Sequence, residues 1–397
     1  MTSDKYPPTR PAAKLIFFKE LTFRNHSIDW VIQPEEARDA NKKVIHGGGV
    51  IYVGKTAGGS SKLSRLSKYF LDFVSDQKAI RLMLTKQYDL IQVKDKYVQT
   101  LLLMIVAKLR GIPMFFWIAY PHAEAALYSV KNKTARYPVL NLIRGMVLKY
   151  FAYKIIMKYA DHTFVQSDQM LRDINKEGIP ERSMTPIPSS VDLERVPYKT
   201  HRRRDENKTK MLLYVGTLLR VRRLDFLVRV LSEVQREFPE CILCFVGKGE
   251  MPEDMELLNN EIDRLALKNN VVFTGYLPQE DVWNYIENAD ICLSPYFPTP
   301  ILQSTSPTKL VEYMAMGRPI IANHHPEQDE VIRESGCGIT VDWEESNVAE
   351  AIVRLLSNSE SSEEMGRKGR EYVERWRSSE VMAQLVEDTY FRIIDNG

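Results

Sequence analysis

The residues best placed to do chemistry lie in one run, Ser304-Thr305-Ser306-Pro307-Thr308-Lys309-Leu310-Val311-Glu312-Tyr313, continuing as Met314-Ala315-Met316-Gly317-Arg318-Pro319. It reads as a loop, one short helix and a stop. Ser306 is suited to cap the helix, and Pro307 to its first position, where a missing N–H costs nothing. Gly317 suits a left-handed turn at the carboxyl end, and Pro319 keeps the helix from resuming. The amides of Thr308 and Lys309 then point out of the helix amino terminus, where the dipole favours an anion such as a diphosphate. Glu312 lies one turn further on the same face, and helical side chains lean back toward the amino terminus. A carboxylate there would accept hydrogen bonds from two hydroxyls of a sugar beside that phosphate. The plainer reading of the run is a capped surface helix with a solvated glutamate.

Pro307 to Pro319 resembles the donor-binding helix of the family 4 glycosyltransferases of GT-B fold, and the order of elements fits over most of the chain. The resemblance implies an α/β protein of two Rossmann-like, doubly wound parallel-sheet domains facing a cleft. It also implies transfer of a hexose from a UDP- or GDP-linked sugar with retention of configuration and without a metal, Glu312 holding the donor ribose. Members of that family place an arginine directly after the glycine that ends the first strand of the second domain, and a lysine six residues past that glycine, both on the diphosphate. Here the glycine is Gly216 and the two positions are Thr217 and Arg222, with Arg220 and Arg223 as candidate replacements for the missing arginine. A second glutamate, eight residues before the ribose-binding one, is replaced by Ser304. Gly275 and Tyr276 match the region of the nucleobase. His122 follows the apolar run Met114 to Ile118, where ligands bind outside strand ends in open α/β sheets, and the resemblance implies a functional histidine in that loop. Donor contacts are therefore expected from Gly216, Thr217, Gly275, Tyr276, Ser304, Pro307, Thr308, Lys309 and Glu312. His122, Arg222 and Arg220 are expected to serve the chemistry.

The elements that must hold these residues alternate. In the second half strands read at Met211–Val215, Cys241–Val246, Val271–Thr274, Ile291–Ser294, Pro319–Ala322 and Gly338–Val341, with helices between most of them, which is the pattern of a doubly wound sheet. Four segments follow: residues 1–195 as an acceptor-side domain, 196–210 as a polar linker, 211–375 as the nucleotide-sugar domain and 376–397 as a terminal helix crossing back onto the first domain. A helix over Lys14–Arg24 and a strand at Ile28–Ile32 leave only Met1-Thr2-Ser3-Asp4 ahead of the first loop, so the first strand is expected to be largely missing, or the sequence to start late. Gly49 to Thr56 matches GxxxxGK[ST] literally. Its middle residues, Val50-Ile51-Tyr52-Val53, are strand material that cannot curl around a phosphate, so the match is expected to be fortuitous. Pro252 occupies the third glycine position after Gly247-Lys248-Gly249, which argues against a dinucleotide cofactor. Cys241 and Cys244 are three apart on one strand, so they face opposite sides and share neither a metal nor a disulfide.

The net charge of +2 conceals opposed halves: residues 1–200 carry 31 Lys and Arg against 18 Asp and Glu, and residues 201–397 carry 23 against 34. No acidic residue occurs between Glu124 and Asp161, a stretch holding Lys131, Lys133, Arg136, Arg144, Lys149, Lys154 and Lys158 among tyrosines. It suits an anionic lipid surface or an anionic acceptor; a buried helix with solvated lysines fits it as well. No nucleic-acid recognition motif is present. The chain lacks an apolar run long enough to span a bilayer and a secretory leader at Met1, so the cytoplasm is the expected compartment, with peripheral attachment to the inner face of the plasma membrane. Expected partners are a nucleotide-sugar donor and a lipid-linked or glycan acceptor. The alternative is a GT-B protein without transfer activity that serves as a binding or scaffold subunit.

Overall fold

The computed structural model describes residues 1–55, 62–198 and 209–395. The chain divides into two compact units, Met1–Ser189 with Ser379–Gly397, and Ser190–Ser378. The linker read at 196–210 lies outside the described residues over 199–208, as does Thr56.

In the first unit, β1 (Lys5–Tyr6) runs parallel to β2 (Trp30–Pro34), which is followed in sequence by β3 (Lys43–His46) and β4 (Gly49–Val53) in a sheet ordered β1-β2-β4-β3. A second run, β5 (Ile91–Lys94), β6 (Met114–Ile118), β7 (His162–Val165) and β8 (Met184–Pro186), is parallel and consecutive. Only Lys5–Tyr6 pairs as β1, with an isolated bridge from Thr2 to Lys94 ahead of it. The short run Met1–Tyr6 bonds to both sheets: Thr2 N donates to Val31 O, Ser3 N to Lys94 O and Lys94 N to Met1 O. Buried Lys94 fixes the same run through Asp4, Nζ to Oδ2 at 2.8 Å. A cavity of about 630 Å³ lies beside it, lined by Trp30, Ile91, Gln92 and Tyr390 toward the amino ends of β2 and β5, away from the strand ends where ligands bind in such sheets.

Gly49 to Val53 is extended β4, paired with β2 on one side and β3 on the other, so the GxxxxGK match is no phosphate loop. The hairpin turns at Gly47 and Gly48, both at positive φ, where a two-residue turn must adopt the left-handed region. The helix Ser379–Asp395 belongs to this unit. Met382, Ala383, Val386 and Tyr390 join Ile16, Phe17, Phe115 and Phe164 in one core, and Glu387 accepts from Arg24 at 2.8 Å.

The second unit holds β9 (Met211–Val215), β10 (Ile242–Val246), β11 (Val271–Gly275), β12 (Ile291–Ser294), β13 (Ile320–Asn323) and β14 (Gly338–Val341), all parallel, in the order β11-β10-β9-β12-β13-β14. Alternate residues serve opposite faces: Leu212 and Tyr214 join one core, Leu213 the other. The cysteines obey the same rule, Cys241 packing with the first core and Cys244 with the second, and both are free thiols. Strand order reverses between β9 and β12. The carboxyl ends of these two strands are therefore where an open α/β sheet leaves a ligand-sized crevice.

Candidate functional site

The short helix of the opening motif spans Thr308–Ala315 and sits at that reversal. Leu310, Val311, Tyr313 and Met314 are buried, and the Tyr313 hydroxyl accepts from Val215 N at 2.8 Å, which latches the helix to the end of β9. Gly317 takes φ +63°, and Arg318 N returns to Tyr313 O at 3.0 Å, so the stop forms as the sequence implies. The start differs. Pro307, not Ser306, holds the capping position, and no side chain caps the helix. The Ser306 hydroxyl donates instead to buried Glu327 Oε1 at 2.6 Å, an oxygen that also accepts from Arg377 at 3.2 Å. A bond to a carboxylate is stronger than one to a neutral amide, and that competition displaces the cap.

Lys309 is the unusual residue of the site. Its side chain is 7% exposed and its Nζ has no hydrogen-bond partner. The ammonium lies 4.6 Å from the ring centre of Tyr214 and 4.7 Å from that of Tyr296. Gly216, at φ +143°, lies beside it: a Cβ there would be in ordinary contact with Lys309 Cε at 3.7 Å and crowd the Tyr214 hydroxyl at 3.2 Å. Burial, then the positive charge of Arg222, hold the lysine well below its ordinary pKa, with Glu312 opposing. Arg222 is half-buried and its Nε is unpaired. Tyr296 is fixed in turn, its amide donating to Asn323 Oδ1 at 2.6 Å and its carbonyl accepting from Asn323 Nδ2 at 2.8 Å. Two cations thus converge at the end of β9, and among the described residues neither forms an ion pair with a carboxylate. Burying such a charge unpaired is costly, and an anion arriving there would relieve that cost.

Glu312 stands one turn beyond Thr308 and accepts from Gln279 Nε2 at 2.9 Å. Burial pushes its carboxyl above the usual range, while Gln279 and Lys309 pull it down. Gly275 ends β11 at φ +74°, and Tyr276 beyond it is exposed, with Lys248 Nζ 5.8 Å from its ring centre. Thr217 and Arg220 are exposed. Arg223 pairs with Asp225 at 3.2 Å and is committed there. Ser304 is buried with its hydroxyl on Pro300 O at 3.5 Å. His122 belongs to the first unit, as the first residue of the helix His122–Lys131, with Tyr120 and Tyr97 edge-on at 5.1 and 6.4 Å. Burial, then Arg144 and Arg10, lower its pKa and keep the imidazole neutral. The second unit therefore gathers Gly216, Arg222, Lys309 and Glu312 of the sequence candidates. Sequence reading missed Tyr214, Tyr296 and Gln279, although Tyr296 lies just past a strand end, a position worth inspecting. Among the described residues no group of three His, Cys, Asp or Glu is placed to hold a metal. No described helix is long and apolar enough to cross a membrane.

Residues 199–372 match the family model described as glycosyl transferases group 1. Among curated proteins the chain is similar to the putative glycosyltransferase YtcC of Bacillus subtilis, 24% identical over 53% of this chain and 59% of that one. It is also similar to a GDP-mannose-dependent α-(1-6)-phosphatidylinositol monomannoside mannosyltransferase of Mycobacterium tuberculosis, 26% identical over 57% and 60%. The chain thus spans about three fifths of the length of these relatives. Among solved structures, Anabaena HepE in complex with UDP superposes with a TM-score of 0.68 at 13% identity over 98% of both chains. With two units built on parallel sheets and such structural neighbours, the chain has the GT-B fold of glycosyltransferases.

Proposed function

We propose that this chain is a metal-independent, retaining glycosyltransferase of family 4 that moves a hexose from a UDP- or GDP-linked sugar to a lipid-linked or polysaccharide acceptor. We place it in the cytoplasm, at the inner face of the plasma membrane, in cell-surface glycan assembly. The observation that carries this reading is the convergence of buried Lys309 and half-buried Arg222, neither paired with a carboxylate among the described residues, at the point where strand order reverses. A diphosphate fits that charge, and Glu312 is one helical turn from Thr308, within the span of a nucleotide whose phosphate sits at the helix start. Retention of configuration and family 4 come from the motif resemblance. The relatives named for GDP-mannose and phosphatidylinositol monomannoside, and the UDP-bound neighbour, support the donor and acceptor classes.

As the bond from the anomeric carbon to the β-phosphate oxygen breaks, the electron pair passes to the departing diphosphate. Arg222, Arg220 and Lys309 stabilise the growing negative charge there, as preorganised cations do in a partly dry site. The acceptor hydroxyl bonds to the anomeric carbon and loses its proton to the departing phosphate, so no external base is required. His122, neutral at physiological pH, supplies hydrogen bonds on the acceptor side.

Calorimetric titration with UDP, GDP and ADP, without metal, on wild type and Glu312→Ala tests the donor site. One nucleotide should bind, and should weaken in the variant by about 1.5–3 kcal/mol, the worth of hydrogen bonds to a charged group. If none of the three binds, the reading fails.

A further inference from the structure

The helix Pro138–Tyr150 is turned inside out. Its buried side is small, with Gly145 packed so closely on the helix His122–Lys131 that an added Cβ would lie 2.7 Å from Leu127 Cγ. Its outer side is apolar: Val139, Leu140, Ile143, Met146, Val147 and Tyr150 are each 45% to 70% exposed. At 3.6 residues per turn these positions fall within about 120° of the circumference. That is the width and period of a stripe that ordinarily faces a core. Arg144 borders the stripe on one flank and Lys149 on the other, the latter paired with Glu177 at 2.7 Å. Lys131 at the end of the preceding helix, Lys133 and Arg136 in the turn after it, and Lys154 and Lys158 beyond Tyr150 stand exposed. No acidic residue interrupts the sequence from Glu124 to Asp161.

We propose that this face docks on an anionic lipid bilayer, the apolar stripe entering the boundary between headgroups and acyl chains and the flanking cations resting on lipid phosphates. An apolar stripe edged by long cationic side chains suits that boundary, because the stems cover apolar surface while the charges reach the headgroups. A second copy of the chain suits it poorly. A two-fold contact sets the same patch against itself, which here brings cation against cation, while Glu177 at its edge is already engaged by Lys149. The proposal deepens the membrane side of the function proposed above and rests on it for the choice of a lipid-borne acceptor. The docking itself stands on surface chemistry alone. Flotation needs no turnover and nucleotide titration needs no membrane, so each reading can fail without the other.

The test is flotation of the full chain with vesicles of phosphatidylcholine alone, and of phosphatidylcholine mixed with phosphatidylglycerol, at low and high salt. Wild type should float with the anionic vesicles, less so at high salt, and little with the neutral ones. Ile143→Asp should lower partitioning by about tenfold or more on both, because it places a charge in the stripe. Arg136→Glu should lower it on anionic vesicles alone. Thermal melts and nucleotide titration of both variants should match wild type, since both side chains are exposed. Absence of flotation, flotation indifferent to Ile143→Asp, or a dimer that Ile143→Asp dissociates would each overturn the proposal.

Discussion

In the proposed donor site, Lys309→Met should weaken nucleotide binding without weakening the fold. Methionine matches the lysine stem in length and packs well against aromatic faces, so the space between Tyr214 and Tyr296 stays filled. What disappears is a charge within reach of the diphosphate. A unit charge about 4 Å from another, at an effective dielectric near 20, is worth about 4 kcal/mol. Mutational values for hydrogen bonds to charged groups are about 1.5–3 kcal/mol. The expected loss is about 2–3 kcal/mol, or about 30- to 150-fold in Kd. Stability should move the other way or not at all, because the ammonium is buried without a partner and its removal leaves nothing unpaired. The sign of the pH dependence follows. The folded pKa of Lys309 is depressed, so the unfolded chain binds more protons between that value and the ordinary one near 10.4. Wild-type stability therefore gains a component that rises with pH across this window and is lost as pH falls through the folded value. Above the folded pKa of Lys309, nucleotide binding should take up a proton there, and affinity should increase as pH falls toward that value. Titration in two buffers of different ionisation heat measures that proton, and urea melts measure stability. A variant that binds like wild type, or that loses stability in step with affinity, would refute the reasoning.

Two further predictions concern the framework. Burial pushes the Asp95 carboxyl up to about 6, and its Oδ2 has no partner while Oδ1 accepts from Ala119 N at 3.0 Å. Its folded pKa lies above the unfolded one near 3.9, so its stability is fully present below that value and lost as pH rises through about 6. Asp95→Asn, which retains the acceptor, should raise Tm above about pH 6 and leave it unchanged below about pH 4; a rise of equal size at both would count against the assignment. Gly317→Ala places a Cβ 2.6 Å from the Tyr198 ring at φ +63° and should cost about 1–3 kcal/mol in chemical denaturation, with loss of nucleotide affinity only through unfolding.

Much of the frame was legible because it rests on local pattern. Met211–Val215, Ile291–Ser294 and Gly338–Val341 were read to the residue, each being a short apolar or β-branched run bounded by polar or turn residues. The left-handed glycine at 317 was legible for the same reason. Strand β3 was not, since Lys43 and Ile45 are exposed and its alternation is weak, although Gly47-Gly48 after it was a turn signal. The start of the helix Thr308–Ala315 was not legible because the partner that takes the Ser306 hydroxyl, Glu327, is 21 residues away. The box around Lys309 was illegible in the same sense. Tyr214, Tyr296 and Lys309 come from three elements, and only the fold makes them neighbours.

That box also bears on the departure at Thr217. The resemblance calls for an arginine directly after Gly216, and without it Arg222 would face the diphosphate with one firm ally fewer. Arg223 cannot stand in, being paired with Asp225, and Arg220 is exposed. In the proposed site Lys309 is the alternative, its Cε lying 3.7 Å from where a Cβ on Gly216, the neighbour of Thr217, would be. The charge count is then conserved while its source moves from the strand-end loop to the helix. A lysine delivered through a buried channel must be held without a carboxylate, or the pair would be neutral and the anion would gain nothing. Two tyrosine faces meet that requirement, since they attract a cation through the ring quadrupole yet offer no charge to be displaced. Glu312, whose charge opposes the lowering of the Lys309 pKa, accepts from Gln279 at 2.9 Å and in the proposed function serves the sugar. On this argument Thr217→Arg does not improve the site: with Lys309 in place a third cation adds mainly repulsion in the empty state.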